Sequence, residues 1–117
     1  MARTNKVKFL VDLSPNTQLT HQVLSSYTSL FYKDFAIGSM FHSGDRKNKF
    51  SINAIEGSEF EKYLNQKIGA TVKSDSETYK VAWLDLSKDA DFEKLEEIAV
   101  ELPKFENTGL RKLYEQH

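Results

Sequence analysis

The polar residues around His42 have the side-chain types of an acid–base or metal site. Ser43, Asp45 and Arg46 follow within four residues, and Glu56 lies just beyond the next predicted strand. An imidazole beside carboxylates can transfer protons or bind a metal ion. A solvated turn has the same composition, and the common hydrolase, metalloprotease and nucleotide-binding motifs are missing. We therefore predict no catalytic residue, metal site or cofactor, and a small enzyme with a site near His42 is the third hypothesis.

The chain contains no cysteine. Disulfides, thiolate zinc sites, iron–sulfur clusters and cysteine nucleophiles are therefore excluded. No stretch approaches the roughly 18 consecutive apolar residues of a membrane span. The apolar run after the basic N-terminal residues is too short for a signal peptide. We expect a cytoplasmic protein without a membrane partner.

Positive charge concentrates at the tip of a predicted hairpin over residues 42–49. Arg46, Lys47 and Lys49 lie there, and Lys8 belongs to a strand that we expect nearby. Cations that share a surface can bind successive phosphates and release their counterions. The second hypothesis is therefore a nucleic-acid-binding module that uses these four residues.

Negative charge concentrates on the predicted third helix. Residues 1–50 carry seven Lys/Arg and three Asp/Glu, whereas residues 51–117 carry nine and fourteen. A solvated helix face can be equally acidic, and carboxylates in the first turn suit the helix dipole. The small size, the missing catalytic motifs and the charge asymmetry favour docking on a protein, as a regulator or inhibitor, with self-association left open. The candidate contacts with the protein partner are Asp89, Glu93, Glu96 and Glu97.

Apolar spacing predicts the elements of the first half. The segment Lys6–Leu13 alternates and predicts a half-buried strand. A helix is expected to begin at Ser14–Pro15 and to continue to Phe31. Two strands, Phe35–Phe41 and Lys49–Ile55, flank the basic turn.

Capping signals predict the elements of the second half. Ser58 and Glu61 form a capping box at the start of the second helix, and Gly69 is suited to its end. The elements that follow are a hairpin of 70–73 and 77–86, a third helix over 89–102 and a short tail helix over 108–116. Pro103 marks the end of the third helix.

The order of these elements predicts the fold class. Its 117 residues, 39% apolar and 28% charged, are typical of a single globular domain over 1–117. The predicted β-α-β-β-α-β order with an appended C-terminal helix is that of a ferredoxin-like α+β domain. We therefore expect an antiparallel sheet with helices on one face.

The apolar pattern also predicts the core and the opposite face of the sheet. We expect the core to include Phe9, Leu24, Tyr27, Phe60, Leu64, Val81, Trp83 and Leu95. Alternation places on the opposite face Lys8, Leu10, Met40, His42, Ser51 and Asn53. That face would have mixed polarity and no aromatic side chain for stacking, so Phe9 and Phe50 are assigned to the core.

Overall fold

The computed structural model describes residues 5–69, 72–73 and 78–112. Three α-helices occur in this part of the chain: α1 (Lys6–Leu13), α2 (Glu59–Ile68) and α3 (Asp89–Glu101). The strands are β1 (Leu19–Val23), β2 (Tyr27–Tyr32), β3 (Phe35–Phe41), β4 (Lys49–Ile55), β5 (Val72–Lys73) and β6 (Tyr79–Asp85). Short 3₁₀ turns lie at Gly44–Arg46 and Leu102–Phe105.

The strands form one antiparallel sheet in the order β1-β2-β3-β4-β6-β5. Residues from all three helices share one core with the inward-facing strand residues. The prediction of an α+β domain with helices on one face of an antiparallel sheet is therefore confirmed. The order along the chain is α-β-β-β-β-α-β-β-α, so the ferredoxin-like order expected from the sequence is not the one observed.

The predicted strand at Lys6–Leu13 is in fact helix α1. Its buried residues, Val7 and Leu10, have helical spacing. Asn5 caps the helix, because its side-chain oxygen accepts hydrogen bonds from the N–H groups of Val7 at 3.1 Å and Lys8 at 3.2 Å. Apolar residues in a segment this short fit both periodicities, and the cap favours the helix.

The predicted first helix is in fact the hairpin of β1 and β2. Thr28, Leu30 and Tyr32 are buried and alternate with half-buried neighbours, which is strand periodicity. The many serine and threonine residues of this segment lower its helix propensity, and residues 25–26 lie at the bend between the strands. Ser14, expected to start a helix, is the C-cap of α1.

A β-bulge in β3 changes which side chains face the core. Ile37 is an extra residue opposite the step between Leu30 and Phe31. The alternation of β3 shifts at this point, so Met40 is buried and Phe41 lies on the opposite face. Strict alternation predicts Met40 on the face opposite the core, and this prediction is therefore wrong.

Gly38 allows β3 and β4 to approach closely beside the bulge. A Cβ atom at this position would lie 1.8 Å from the carbonyl oxygen of Ser51. The register pairs Gly38 with Ile52 and Met40 with Phe50. Any side chain at this position would therefore force the two strands apart.

The capping box at the start of α2 is confirmed. The Ser58 hydroxyl oxygen accepts a hydrogen bond from the Glu61 N–H at 3.1 Å, and the Glu61 carboxylate accepts one from the Gly57 N–H at 3.2 Å. Gly69 ends the helix with φ +112°, a conformation that favours glycine. The predictions of α3 and of the β5–β6 pairing are also confirmed.

The segment after α3 fills the gap where β3 and β4 diverge. The Arg111 carbonyl oxygen accepts a hydrogen bond from the Ala36 N–H, and the Gly109 carbonyl oxygen accepts one from the Ile55 N–H, each at 3.1 Å. Backbone bonds to both strands therefore hold Arg111 at the end of the sheet.

The predicted tail helix over 108–116 is not formed in its described part. Gly109 has φ +135°, which is outside the helical region. Lys112 forms an antiparallel bridge with Phe35. Residues 113–116, the rest of the predicted helix, lie outside the described residues.

Three of the eight side chains that we expect in the core are buried. Phe60, Leu64 and Leu95 are buried as expected. The other expected core residues are not buried: Phe9 and Leu24 are exposed, and Tyr27, Val81 and Trp83 are half-buried. The last three lie on the sheet face opposite the helices.

A polar contact ties the β2–β3 turn to the segment after α3. The Tyr32 hydroxyl donates a hydrogen bond to Glu106 Oε1 at 2.8 Å, and Lys33 Nζ forms an ion pair with the same carboxylate. The hydrogen bonds from Lys33 and then Tyr32 lower the pKa of Glu106. Burial, with the hydrogen bond to Glu106, raises the pKa of Tyr32.

Candidate functional site

His42 belongs to a structural network of hydrogen bonds. Its Nε2 atom lies 2.6 Å from the hydroxyl of buried Thr28, and Asn5 Nδ2 donates to the same hydroxyl at 2.9 Å. Asn5 is the N-cap of α1. The network therefore connects the start of α1 with β2 and the end of β3.

The structure brings together three of the four predicted basic contacts. Arg46, Lys47 and Lys49 lie in the loop after β3 and at the start of β4, and we call them the basic cluster. Lys8 lies on α1, on the helical side of the sheet, where its ammonium pairs with Asp12 at 2.7 Å. The expectation that Lys8 lies on a neighbouring strand is therefore wrong.

An aromatic row crosses the sheet face opposite the helices, which we call the open face. Tyr27, Phe41 and Trp83 lie side by side with centroid separations of 6.2 Å and 6.1 Å. The Arg46 guanidinium carbon lies 5.0 Å from the Trp83 ring centroid, a cation–π distance. The basic cluster and the aromatic row are therefore one continuous surface.

Sequence reasoning missed this row for two physical reasons. The apolar spacing of the segment containing Tyr27 predicts a helix rather than a strand, and the bulge in β3 places Phe41 on the open face. Ser51 and Asn53 do face outward as predicted, but beside aromatic side chains. The alternation of Thr28, Leu30 and Tyr32 along the sequence is the signal that indicates a strand in this segment.

A groove of about 300 Å³ lies beside the aromatic row on the open face. Its lining includes two aromatic rings, four uncharged polar side chains and one cation: Tyr27, Phe31, Gln22, Ser29, Ser39, Asn53 and Arg111. The hydroxyls of Ser29 and Ser39 are 3.1 Å apart. The Arg111 guanidinium lies 4.2 Å from the Tyr79 ring centroid. The groove therefore offers stacking surfaces, hydrogen-bonding groups and a positive charge to one ligand.

Cations lie at both ends of the open face. The basic cluster is at one end and Arg111 is at the other. Asp85 lies beside the cluster, 3.8 Å from Lys49 Nζ, and accepts hydrogen bonds from the Ser87 hydroxyl at 2.6 Å and N–H at 3.0 Å. These hydrogen bonds, the hydroxyl's above all, lower the pKa of Asp85.

A second groove, of about 320 Å³, lies between α1 and α3 on the helical side. Leu13 is 61% exposed and Val100 is 50% exposed at its margins. Pro15, Glu96 and Glu97 also line it. We call these five residues the α3 surface, because an acidic helix face here borders an exposed apolar one.

A further depression, also about 320 Å³, adjoins the α3 surface on the α2 side of Val100. Tyr63 lines it, and the Tyr63 hydroxyl is buried with no hydrogen-bond partner among the described residues. Burial raises the pKa of this hydroxyl. Lys67 Nζ forms an ion pair with Glu97, and this contact raises the pKa of Lys67.

The four predicted acidic contacts divide along α3. Glu96 and Glu97 border the groove. Glu93 lies one turn and Asp89 two turns nearer the start of the helix, and both are exposed. The structure therefore places two of the four beside exposed apolar side chains.

No family model, curated protein or solved structure matches the chain. Across residues 5–69, 72–73 and 78–112, no three His, Asp or Glu side chains are grouped so that they could hold a metal ion. Over the same ranges, no helix has the length and apolar character needed to cross a membrane.

Proposed function

We propose that the protein is a non-enzymatic binding module that docks on a protein partner through the α3 surface and regulates or inhibits it. The observation that carries this proposal is the exposure of Leu13 and Val100 beside the carboxylates of Glu96 and Glu97. Isolated apolar side chains are common on protein surfaces, whereas apolar residues that flank a groove with a polar rim are typical of interaction sites.

The apolar part of the α3 surface supplies a centre for an interface. Val100 separates the α1–α3 groove from the depression lined by Tyr63, so a partner can contact it from both sides. Covering the exposed halves of Leu13 and Val100 contributes about 1 kcal/mol each. Tyr63 lines this depression and adds its ring to the surface that a partner can contact.

The charge of α3 indicates what the partner carries. Six of the thirteen residues of this helix are Asp or Glu and one is Lys. Glu96 and Glu97 therefore favour a partner segment with Lys or Arg beside aliphatic side chains. Because Lys67 pairs with Glu97 in the free protein, a partner cation competes with this ion pair.

A peptide titration tests this proposal. The probe is a synthetic helical peptide with leucines on one face and lysines beside them, compared with a peptide carrying glutamates in place of the lysines. In NMR spectra of the labelled protein, we expect the lysine peptide to shift the amide signals of Leu13, Glu96 and Val100. Glu96→Lys combined with Glu97→Lys should weaken this binding at least tenfold.

A charge-matched variant is the control for this titration. Asp34→Lys with Glu59→Lys changes the net charge equally, at exposed positions outside the α3 surface. We expect this control to bind the lysine peptide like the unmodified protein. Equal weakening by both double variants, or shifts confined to other surfaces, would contradict the proposal. A concentration-dependent mass that depends on Val100 would show that a second copy covers the surface instead.

A further inference from the structure

The open face has the components that single-stranded nucleic acid requires. Tyr27, Phe41 and Trp83 form a row of half-buried rings, and Phe31 lies beside the row at the adjoining groove. Aromatic side chains stack on bases of any sequence, because every base has a π-face. The structure therefore provides stacking surfaces where the sequence analysis predicted none.

The groove beside the row is suited to one base. Its volume of about 300 Å³ lies at the lower end of the range for small-ligand pockets. Tyr27 and Phe31 supply ring surfaces, and Ser29, Ser39 and Asn53 supply hydroxyl and amide groups that can bond to a base edge. Purely apolar ligands would bury these polar groups without hydrogen bonds.

The charges around the open face match the phosphates of such a ligand. The basic cluster lies at one end and Arg111 at the other. The carboxylate of Asp85 is engaged by Ser87 and lies beside Lys49. The acidic helix α3 lies on the far side of the sheet. A polyanion is therefore attracted to the open face and repelled from the helical side.

We propose that the open face binds single-stranded nucleic acid, with one base in the groove between Tyr27 and Phe31 and phosphates at Arg46 and Arg111. The aromatic row and the cations at both ends of the face complement alternating bases and phosphates. This site is independent of the α3 surface, which lies on the opposite side of the sheet.

The binding test uses a short fluorescein-labelled oligothymidylate and follows its anisotropy. The chain contains one tryptophan, so quenching of Trp83 emission reports contact at the open face itself. We expect saturable binding with quenching, and an affinity that falls as salt is added. A duplex of the same length should bind more weakly, because its bases are not free to stack.

Three variants separate this site from general charge attraction. Arg46→Ala should lower the slope of log affinity against log salt concentration by the equivalent of about one phosphate contact. Tyr27→Leu should weaken binding about tenfold with little change in that slope. Lys62→Ala is the matched control, since Lys62 is an exposed lysine on α2. We expect its affinity for the oligothymidylate to remain unchanged.

Several results would overturn the proposal. These are equal weakening by Arg46→Ala and Lys62→Ala, binding without quenching of Trp83, and a duplex that binds as tightly as the single strand. An oligothymidylate that does not bind, with a protein crosslinked to the open face, would assign that face to a protein partner. None of these results bears on the lysine-peptide titration of the α3 surface.

Discussion

Replacing Gly38 with alanine tests the close approach of β3 and β4 in the sheet. The new Cβ atom would lie 1.8 Å from the Ser51 carbonyl oxygen, whereas an ordinary contact begins at 3.4 Å. The strands β3 and β4 must therefore separate by about 1.6 Å, which is the difference between these distances. The affected ladder includes the pairs of Gly38 with Ile52 and Met40 with Phe50.

The expected cost combines two effects. Two or three ladder hydrogen bonds are weakened, at about 1 kcal/mol each. Phe50 and Ile52 are fully buried beside the new methyl group, and overpacking of such a core costs about 1–3 kcal/mol. The sum of about 3–6 kcal/mol is a large part of the stability of a domain this size. It corresponds to a fall in Tm of about 12–24 °C.

The assay is thermal unfolding followed by circular dichroism, with Gly44→Ala as the matched control. Gly44 has φ +81° but no atom within 4 Å of its Cβ position, so the control tests backbone strain without a collision. We expect the control to lose about 1–2 kcal/mol. If Gly38→Ala melts no lower than Gly44→Ala, the close approach of β3 and β4 is wrong.

Three further predictions concern the core, the network and the response to acid. Trp83→Ala should lower the free energy of unfolding by about 1–2 kcal/mol, and Phe50→Ala by about 3–5 kcal/mol, because of the two only Phe50 is fully buried. Urea unfolding of both variants checks this order. His42→Ala should leave lysine-peptide binding unchanged in the same titration, because His42 contacts neither groove. The lowered pKa of Glu106 means that its stabilisation is present at neutral pH and is lost as the pH falls through the folded-state pKa. Glu106→Gln should therefore flatten the acid side of the stability curve, and an unchanged curve would contradict the contact.

Chemical signals at element ends correctly predict α2 and the β3–β4 hairpin, whereas Ser14–Pro15 has the residue types of a helix start but follows α1, with Ser14 as its C-cap. Ser58 with Glu61 and the glycine at 69 define α2, and the turn residues between β3 and β4 define that hairpin. Where the signal is periodicity alone, Lys6–Leu13 fits a strand as well as a helix. In that segment the side chain of Asn5 caps α1 with its hydrogen bonds and so favours the helix over the strand.

The candidate sites depend on contacts that no local pattern contains. The bulge at Ile37 places the side chain of Phe41 on the open face. Arg111 lies at this face because backbone hydrogen bonds join its segment to β3 and β4, which are distant in the sequence. Glu96 and Glu97 were identified from charge alone. The exposed Leu13 beside them belongs to a segment predicted as a strand, so the groove between α1 and α3 could not be predicted.

Photo-crosslinking from position 100 tests the central claim, the α3 surface as a protein docking site, most directly. A photoreactive phenylalanine replaces Val100 in the producing cell, and in a second variant it replaces Val23, which is similarly exposed on β1. We expect a discrete crosslinked protein from position 100, attached through a basic segment, that disappears with Glu96→Lys and Glu97→Lys. The same products from both positions, or none from position 100, would contradict the account.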